Sequence, residues 1–204
     1  MSLDTSVISS QPRCRWCSSD SIYQSYHDHE WGVPEYDAQR LFEKLLLDGF
    51  QAGLSWITIL KKRERYRQVY HGFDARFMAA QTDADLQALM QDPGIIRNRL
   101  KVHAARQNAR AWLALAEQTD PAAWLWQFVG GRPLVNRFAS HAEVPAITPE
   151  AQAMSKALRK AGFSFVGPTI CYAFMQATGM VMDHTLDCYR YAELAGEAAA
   201  IKQQ

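Results

Sequence analysis

The sequence lacks any apolar run approaching the ~18 residues that cross a bilayer, which excludes a membrane-spanning helix of the usual kind. It also lacks sustained period-two alternation, any repeat at the ~20–50-residue periods of solenoids, and any low-complexity tract. A β-sandwich, a repeat array and a disordered scaffold are thereby set aside. The opening stretch, Met1 to Pro12, does not show the basic-then-apolar order of a secretory signal, so the protein is expected in the cytoplasm. Cysteine is scarce: four in 204 residues, without a signal, read poorly as a disulfide framework. Metal ligands, core thiols or a redox pair remain.

What is present suits one compact domain, at 48% hydrophobic and 21% charged residues. Net charge is only +1, yet its distribution is uneven. Lys61, Lys62, Arg63, Arg65 and Arg67 face the single acid Glu64 between Leu54 and Gly72. Arg97, Arg99, Lys101, Arg106 and Arg110 face none between Pro93 and Ala116. Such blocks suit a polyanion-binding face, although a solvated helix surface is the commoner meaning of a charge run.

Helical periodicity accounts for most of the chain, and the expected fold class is all-α. Asp37 predicts an N-cap for a helix with Leu41, Phe42, Leu45 and Leu46 on one face, ending near Gly49. Ile57, Leu60 and Val69 predict one amphipathic helix ending at Gly72. Asp74 caps a short helix, and Thr82 with Asp85 forms a capping box before Leu86 and Leu89. Asp92-Pro93-Gly94 breaks that helix and Asn98 starts a long one to about Leu115, which together make a helical hairpin. Backbone N–H groups there, with Arg97 and Arg99, suit a phosphate. Asp120-Pro121, Thr148-Pro149 and Gly167-Pro168 start three further helices. The last of these, with Ile170, Cys171, Tyr172, Phe174 and Met175, is apolar nearly all round and expected to be central. Residues 132–148 are the most loop-like. Residues 1–12 are read as a flexible extension, 13–191 as a single domain of two helical lobes with the hairpin near 92–99, and 192–204 as a tail.

Two groups of residues could carry chemistry. Cys14, His27, His184 and Cys188 form a complete tetrahedral donor set for zinc, with no open position. On spacing alone, ordinary histidines and buried thiols are an equal alternative, and Cys14-x-x-Cys17 is also a redox spacing. Trp16, Tyr23, Tyr26, Trp31 and Trp56 are interleaved with charge, which suits a half-open pocket for a flat ligand as well as plain core. The stretch from Asp48 to Trp56 sets an acid, the amide of Gln51 and an indole around Gly49 and Gly53, glycines that permit close approach or positive φ.

These residues carry a resemblance over Arg13 to about Tyr191. Arg-Cys-x-Trp at 13–16, Tyr-His-Asp-x-Glu-Trp-Gly-Val-Pro at 26–34, Gln-Ala-Gly-Leu-Ser-Trp at 51–56 and Leu-Lys-Lys-Arg-Glu at 60–64 resemble the bacterial 3-methyladenine DNA glycosylase I family. Gly-Ile-Ile-Arg at 94–97, Ser-Lys-Ala-Leu at 155–158, Gly-Phe-x-Phe-Val-Gly at 162–167, Ile-Cys-Tyr at 170–172 and Asp-His at 183–184 agree with it.

The resemblance implies a helix-hairpin-helix superfamily fold whose hairpin, at Gly94, Arg97 and Arg99, holds DNA backbone. It implies a structural Zn2+ on Cys14, His27, His184 and Cys188, joining the two ends of the chain, with Cys17 outside the set. It implies base contacts from Trp16, Tyr23, Tyr26, Trp31, Gln51 and Trp56, with double-stranded DNA containing alkylated bases as substrate and free 3-methyladenine as product. The expected enzyme is a monofunctional, monomeric glycosylase without lyase activity. One position departs from the pattern. The family's base-recognising acid is typically glutamate, and Asp48 stands there, with a carboxylate withdrawn by roughly 1.3–1.5 Å, one C–C bond.

Overall fold

Short polar residues start most of the helices, as the sequence predicts. In the computed structural model, which describes residues 11–201, Asp37 accepts from the Arg40 N–H at the start of one helix. Asn98 accepts from Lys101 at another, and Thr82 and Asp85 close a reciprocal capping box. Proline occupies the first turn after Asp120, Thr148 and Gly167.

Eleven α-helices result among the described residues. They are α1 (Ser21–His29), α2 (Ala38–Gln51), α3 (Trp56–Leu60), α4 (Arg63–Val69), α5 (Ala75–Ala80) and α6 (Asp83–Leu89). They continue as α7 (Arg99–Ala116), α8 (Pro121–Trp126), α9 (Pro149–Lys160), α10 (Pro168–Ala177) and α11 (Arg190–Ile201). The apolar helix α10 is central as expected, packing on α2 and α9 with Cys171, Phe174 and Met175 fully buried. Helix α5 lies along α7.

Three expectations are corrected. The fold is mostly helical, not all-α: β1 (Leu134–Val135) pairs in parallel with β2 (Val181–Met182). Strands of two residues cannot display alternation, and both β2 residues are buried. Helix α2 runs past Gly49 to Gln51, and the turn is made by Gly53 at φ +76°. At Gly49 a Cβ would make ordinary contact, 3.4 Å from the Phe165 Cβ and carbonyl. The segment from Trp56 to Gly72 is two helices, because the N–H of Lys62 bonds back to the Ile59 carbonyl and tightens the turn. The chain from 192 is helical to Ile201, with Leu194 and Ala198 buried. Nearly all of the expected extension, residues 1–10, lies outside the described residues.

The segment Trp31 to Pro34 is laid against the end of α10 by main-chain bonds from Gly32 to Gln176 and from Glu35 to Thr178. Gly179 makes this approach possible. Its φ is +68°, and a Cβ there would sit 2.4 Å from the Pro34 nitrogen. Gly179→Ala is expected to destabilise the protein by at least about 2 kcal/mol in urea unfolding, through strain plus overlap. Gly72→Ala, at φ +70° with nothing within 4 Å, should cost only the backbone term of about 1–2 kcal/mol. Equal losses at the two positions would show that the approach to Pro34 is not tight.

Candidate functional site

Helix α1 supplies both parts of the site. Its buried residues are Tyr26, His27 and Asp28, so one turn presents a phenol to one side and an imidazole to the other. Arg13 clamps Asp28 with both its Nε (2.8 Å) and Nη2 (2.7 Å). Burial pushes the Asp28 carboxyl up, but the bonds from Arg13 and His27 outweigh it and hold it at about 2. Asp28 Oδ1 meets His27 Nδ1 at 2.8 Å, which leaves His27 Nε2 to face inward.

That nitrogen joins a buried cluster. The donor atoms of Cys14, His27, His184 and Cys188 all lie within 4.8 Å of one another. Cys188 Sγ stands 3.4 Å from His27 Nε2 and 3.3 Å from His184 Nδ1, and Cys14 Sγ stands 3.4 Å from His184 Nδ1. A tetrahedron with metal–sulfur distances of about 2.3 Å and metal–nitrogen distances of about 2.05 Å has sulfur–nitrogen edges of about 3.6 Å, so the set fits one ion with little movement. His184 Nε2 is turned to the Trp31 carbonyl at 3.0 Å, a second orienting contact. Hydrogen bonding between the thiols splits their acidities: Cys188 is drawn down, helped by both imidazoles, and Cys14 is pushed up. Cys17 is half-buried outside the cluster, with its thiol donating to the Ser18 carbonyl.

The other side of α1 lines a cavity of about 170 Å³. Trp16, Tyr23, Tyr26, Trp31, Asp48, Gln51 and Trp56, drawn from the N-terminal segment, α1 and the turn after it, α2 and α3, all border it. Trp16 meets Tyr23 at 5.1 Å and Trp31 at 5.0 Å between ring centroids, and Tyr26 meets Trp56 at 5.2 Å. Asp48 is 2% exposed. Its Oδ1 accepts from Lys44 Nζ at 3.2 Å, while Oδ2 is buried with no partner among the described residues. Burial raises its carboxyl to about 6, against the pull of Lys44.

Sequence reasoning missed several wall residues. His141 and Val144 come from the loop-like stretch, held over the cavity by the β1–β2 pairing; no local pattern announces them. Gln176 and Asp183 also border it. Asp183 accepts from Asn136 (2.7 Å), Tyr172 (2.5 Å) and Gln176 (2.9 Å), so this carboxylate fastens the loop to α10. A larger open groove of about 690 Å³ beside Val69, Phe77 and Leu89 lies apart from these groups.

The first basic block proves largely compensated, and the second only at Arg106. Lys61 pairs with Asp20, Arg63 with Glu30, Arg65 with Asp92, Arg67 with Glu43 and Glu64, and Arg106 with Asp83. Folding brings acids from other segments alongside, which a linear charge count cannot register. Lys101 is 5% exposed and donates to the Phe50 and Ala52 carbonyls, capping the negative end of α2. It braces α7 against the helix of Asp48. At the hairpin, the Gly94 N–H donates to Asp92, and a Cβ at Gly94 would meet Arg65 Cγ at 2.6 Å. Arg97 and Arg99 are exposed and, among the described residues, in no ion pair.

A slot walled by aromatic rings, with one unsatisfied carboxylate oxygen, belongs to the proteins that take a flat heteroaromatic ligand. The known proteins make the class specific. The sequence profile of the methyladenine glycosylase family matches residues 16–191. DNA-3-methyladenine glycosylase 1 of Escherichia coli strain K12 is 51% identical over 180 residues, 88% of this chain and 96% of that protein. DNA-3-methyladenine glycosylase of Haemophilus influenzae is 50% identical over 177 residues, 86% and 96% of the two chains. A crystal structure of 3-methyladenine DNA glycosylase I superposes with a TM-score of 0.86 at 51% identity, over 87% of this chain and 98% of that one. A variant of such an enzyme in complex with 3-methyladenine gives a TM-score of 0.84 at 34% identity, over 87% and 96%. The chain belongs to the methyladenine glycosylase family and is thus an enzyme, a hydrolase of N-glycosyl bonds.

Purified protein is expected to carry one metal ion per chain at the Cys/His cluster. Cys188→Ser should lower metal content, read by mass spectrometry, and melting temperature by about 10 °C, together. Full metal occupancy in that variant would place the ion elsewhere.

Proposed function

We propose that this protein releases 3-methyladenine from alkylated double-stranded DNA by hydrolysing its N-glycosidic bond. The observation that carries the reading is the aromatic cavity bordered by Asp48, whose Oδ2 is buried and unpaired. A base reaches such a slot only after leaving the stack. The 3-methylated adenine nucleoside is formally cationic, so the Tyr26 and Trp56 faces attract it by about 0.5–2 kcal/mol each. Asp48 Oδ2 accepts from its exocyclic amine in a charge-assisted bond. A neutral adenine gains less from every one of these contacts, and selection follows from charge as well as shape.

The chemistry asks little more of the protein. Water adds to the sugar carbon and gives up a proton to solvent, the C–N bond breaks, and its electron pair neutralises the departing base. Because the cationic base leaves without being protonated, flipping and stacking supply most of the effect. No lysine nucleophile is required: the Lys44 ammonium is engaged by Asp48 and borders the neighbouring cavity rather than the base slot. The reading is therefore monofunctional, and borohydride should trap no enzyme–DNA adduct.

The Gly94 turn with Arg97 and Arg99 serves as the DNA-backbone contact, in the manner of a helix-hairpin-helix, with the N-terminus of α7 and two guanidinium groups toward phosphate. Cys14, His27, His184 and Cys188 hold Zn2+, a structural ion that binds the chain ends together. The shorter acid at position 48 stands one C–C bond further from the base than glutamate, which makes its orientation by neighbours matter more.

Incubation with methylated duplex DNA and chromatography of the released bases tests the activity; absence of 3-methyladenine above background would refute it. Trp56→Ala should weaken calorimetric binding of free 3-methyladenine by about 1–3 kcal/mol. Unchanged affinity would remove Trp56 from the slot.

A further inference from the structure

Lys44 lies four residues before Asp48 on α2, and the reading above excludes it as a nucleophile but gives it no role. We propose that Lys44 is a positioning residue that keeps Asp48 an ionised carboxylate, engaged through Oδ1 only, with Oδ2 free for the base. The inference rests on the reading of the cavity as a base slot.

The geometry is specific. Lys44 Nζ stands 3.2 Å from Asp48 Oδ1, 3.4 Å from the Trp56 ring centroid and 5.0 Å from that of Tyr26. One ammonium thus touches the acid and both aromatic walls that the reading assigns to the base. It does so from outside the slot: Lys44 borders a second cavity of about 500 Å³, which shares Tyr26 and Ala177 with the first. The spacing of four residues on one helix permits the pair, and the side chains are only 14% and 3% exposed.

A carboxylate buried this deeply loses its charge unless a cation compensates it. A protonated Asp48 would offer a hydroxyl toward an amine and forfeit its attraction for a cationic base. Lys44 is the compensating cation. Its own ammonium is lowered by burial and supported first by Asp48. The other charged and titratable groups near the pair are few. Glu30 and Arg63 act on Lys44 with opposite signs and are themselves paired at 2.5 and 2.9 Å. Tyr26 from α1 and Cys171 from α10 both feel the Asp48 charge and are pushed up chiefly by their own burial. Tyr23, Asp183 and the exposed His141 border the slot, the acid being fully bonded to Asn136, Tyr172 and Gln176.

Lys44→Met keeps length and removes charge, and Lys44→Gln is a second neutral variant should the first fold poorly. The carboxyl 13C resonance of Asp48, assigned by its loss in Asp48→Asn, reads ionisation without turnover. The midpoint is expected near 6 in the wild type and about one to three units higher in Lys44→Met, with Lys44→Arg close to wild type. Single-turnover release of 3-methyladenine by Lys44→Met should fall about threefold or more further at pH 6.5 than at pH 9, the ratio for a one-unit shift. A midpoint unchanged by removing the lysine charge overturns the inference, as does a loss of equal size at both pH values, which marks packing alone. A midpoint shifted in Lys44→Met, beside a wild type that releases no 3-methyladenine, upholds the charge role and sinks the assigned activity instead.

Discussion

The architecture depends on the convergence of Cys14 and His27 with His184 and Cys188. Between the two halves of this set lie nearly all the helices of the fold. Bringing chain ends so distant together costs loop-closure entropy, and ordinary packing of a nine-residue helix does little to offset it. Four buried donors within 4.8 Å of one another, oriented by Asp28, Arg13 and the Trp31 carbonyl, mark where the chain ends meet. Once His27 is placed there, its neighbour Tyr26 is placed too, and with it one wall of the aromatic cavity.

The slot is assembled from pieces that have no stability as units. Trp16 precedes the first helix, Trp31 follows it, Trp56 opens a five-residue helix and Asp48 lies in the last turns of α2. Each is held by something behind it. Main-chain bonds from α10 hold the Trp31 segment, Lys101 holds the end of α2, and Asp183 holds the loop that carries His141 and Val144 over the cavity. Lys101 also ties α7, which begins just after the Gly94 turn, to the end of α2.

Charge is the second theme. The two basic blocks look, in the linear chain, like a nucleic-acid surface. Folded, four of the five members of the first block and Arg106 of the second pair with acids, and what is left exposed and in no ion pair among the described residues includes Arg97 and Arg99 beside the Gly94 turn. Inside, the compensation runs the other way: one lysine answers one buried aspartate and stands against the Trp56 ring. That lysine borders the neighbouring cavity and not the aromatic one.

Much of this was legible in the sequence, because caps, proline positions and apolar faces act over three or four residues and leave their mark locally. Asp37, Thr82, Asn98, Asp120 and Thr148 start helices as their types require, α10 is central as its composition requires, and the motifs mark the aromatic residues and the Cys/His set that the fold gathers. Less was legible where the cause is distant. The break at Lys62, the helix after Arg190, the two-residue sheet and the extra walls at His141, Val144 and Asp183 come from contacts between segments far apart in the chain. The sequence by itself determined the helices, the family and which residue types carry the chemistry. Only the tertiary structure decided that Lys101 caps a helix instead of facing solvent, and that Lys44 stands against Asp48 and Trp56. Burial and charge pairing are properties of what surrounds a side chain, and those surroundings exist only once the chain has folded.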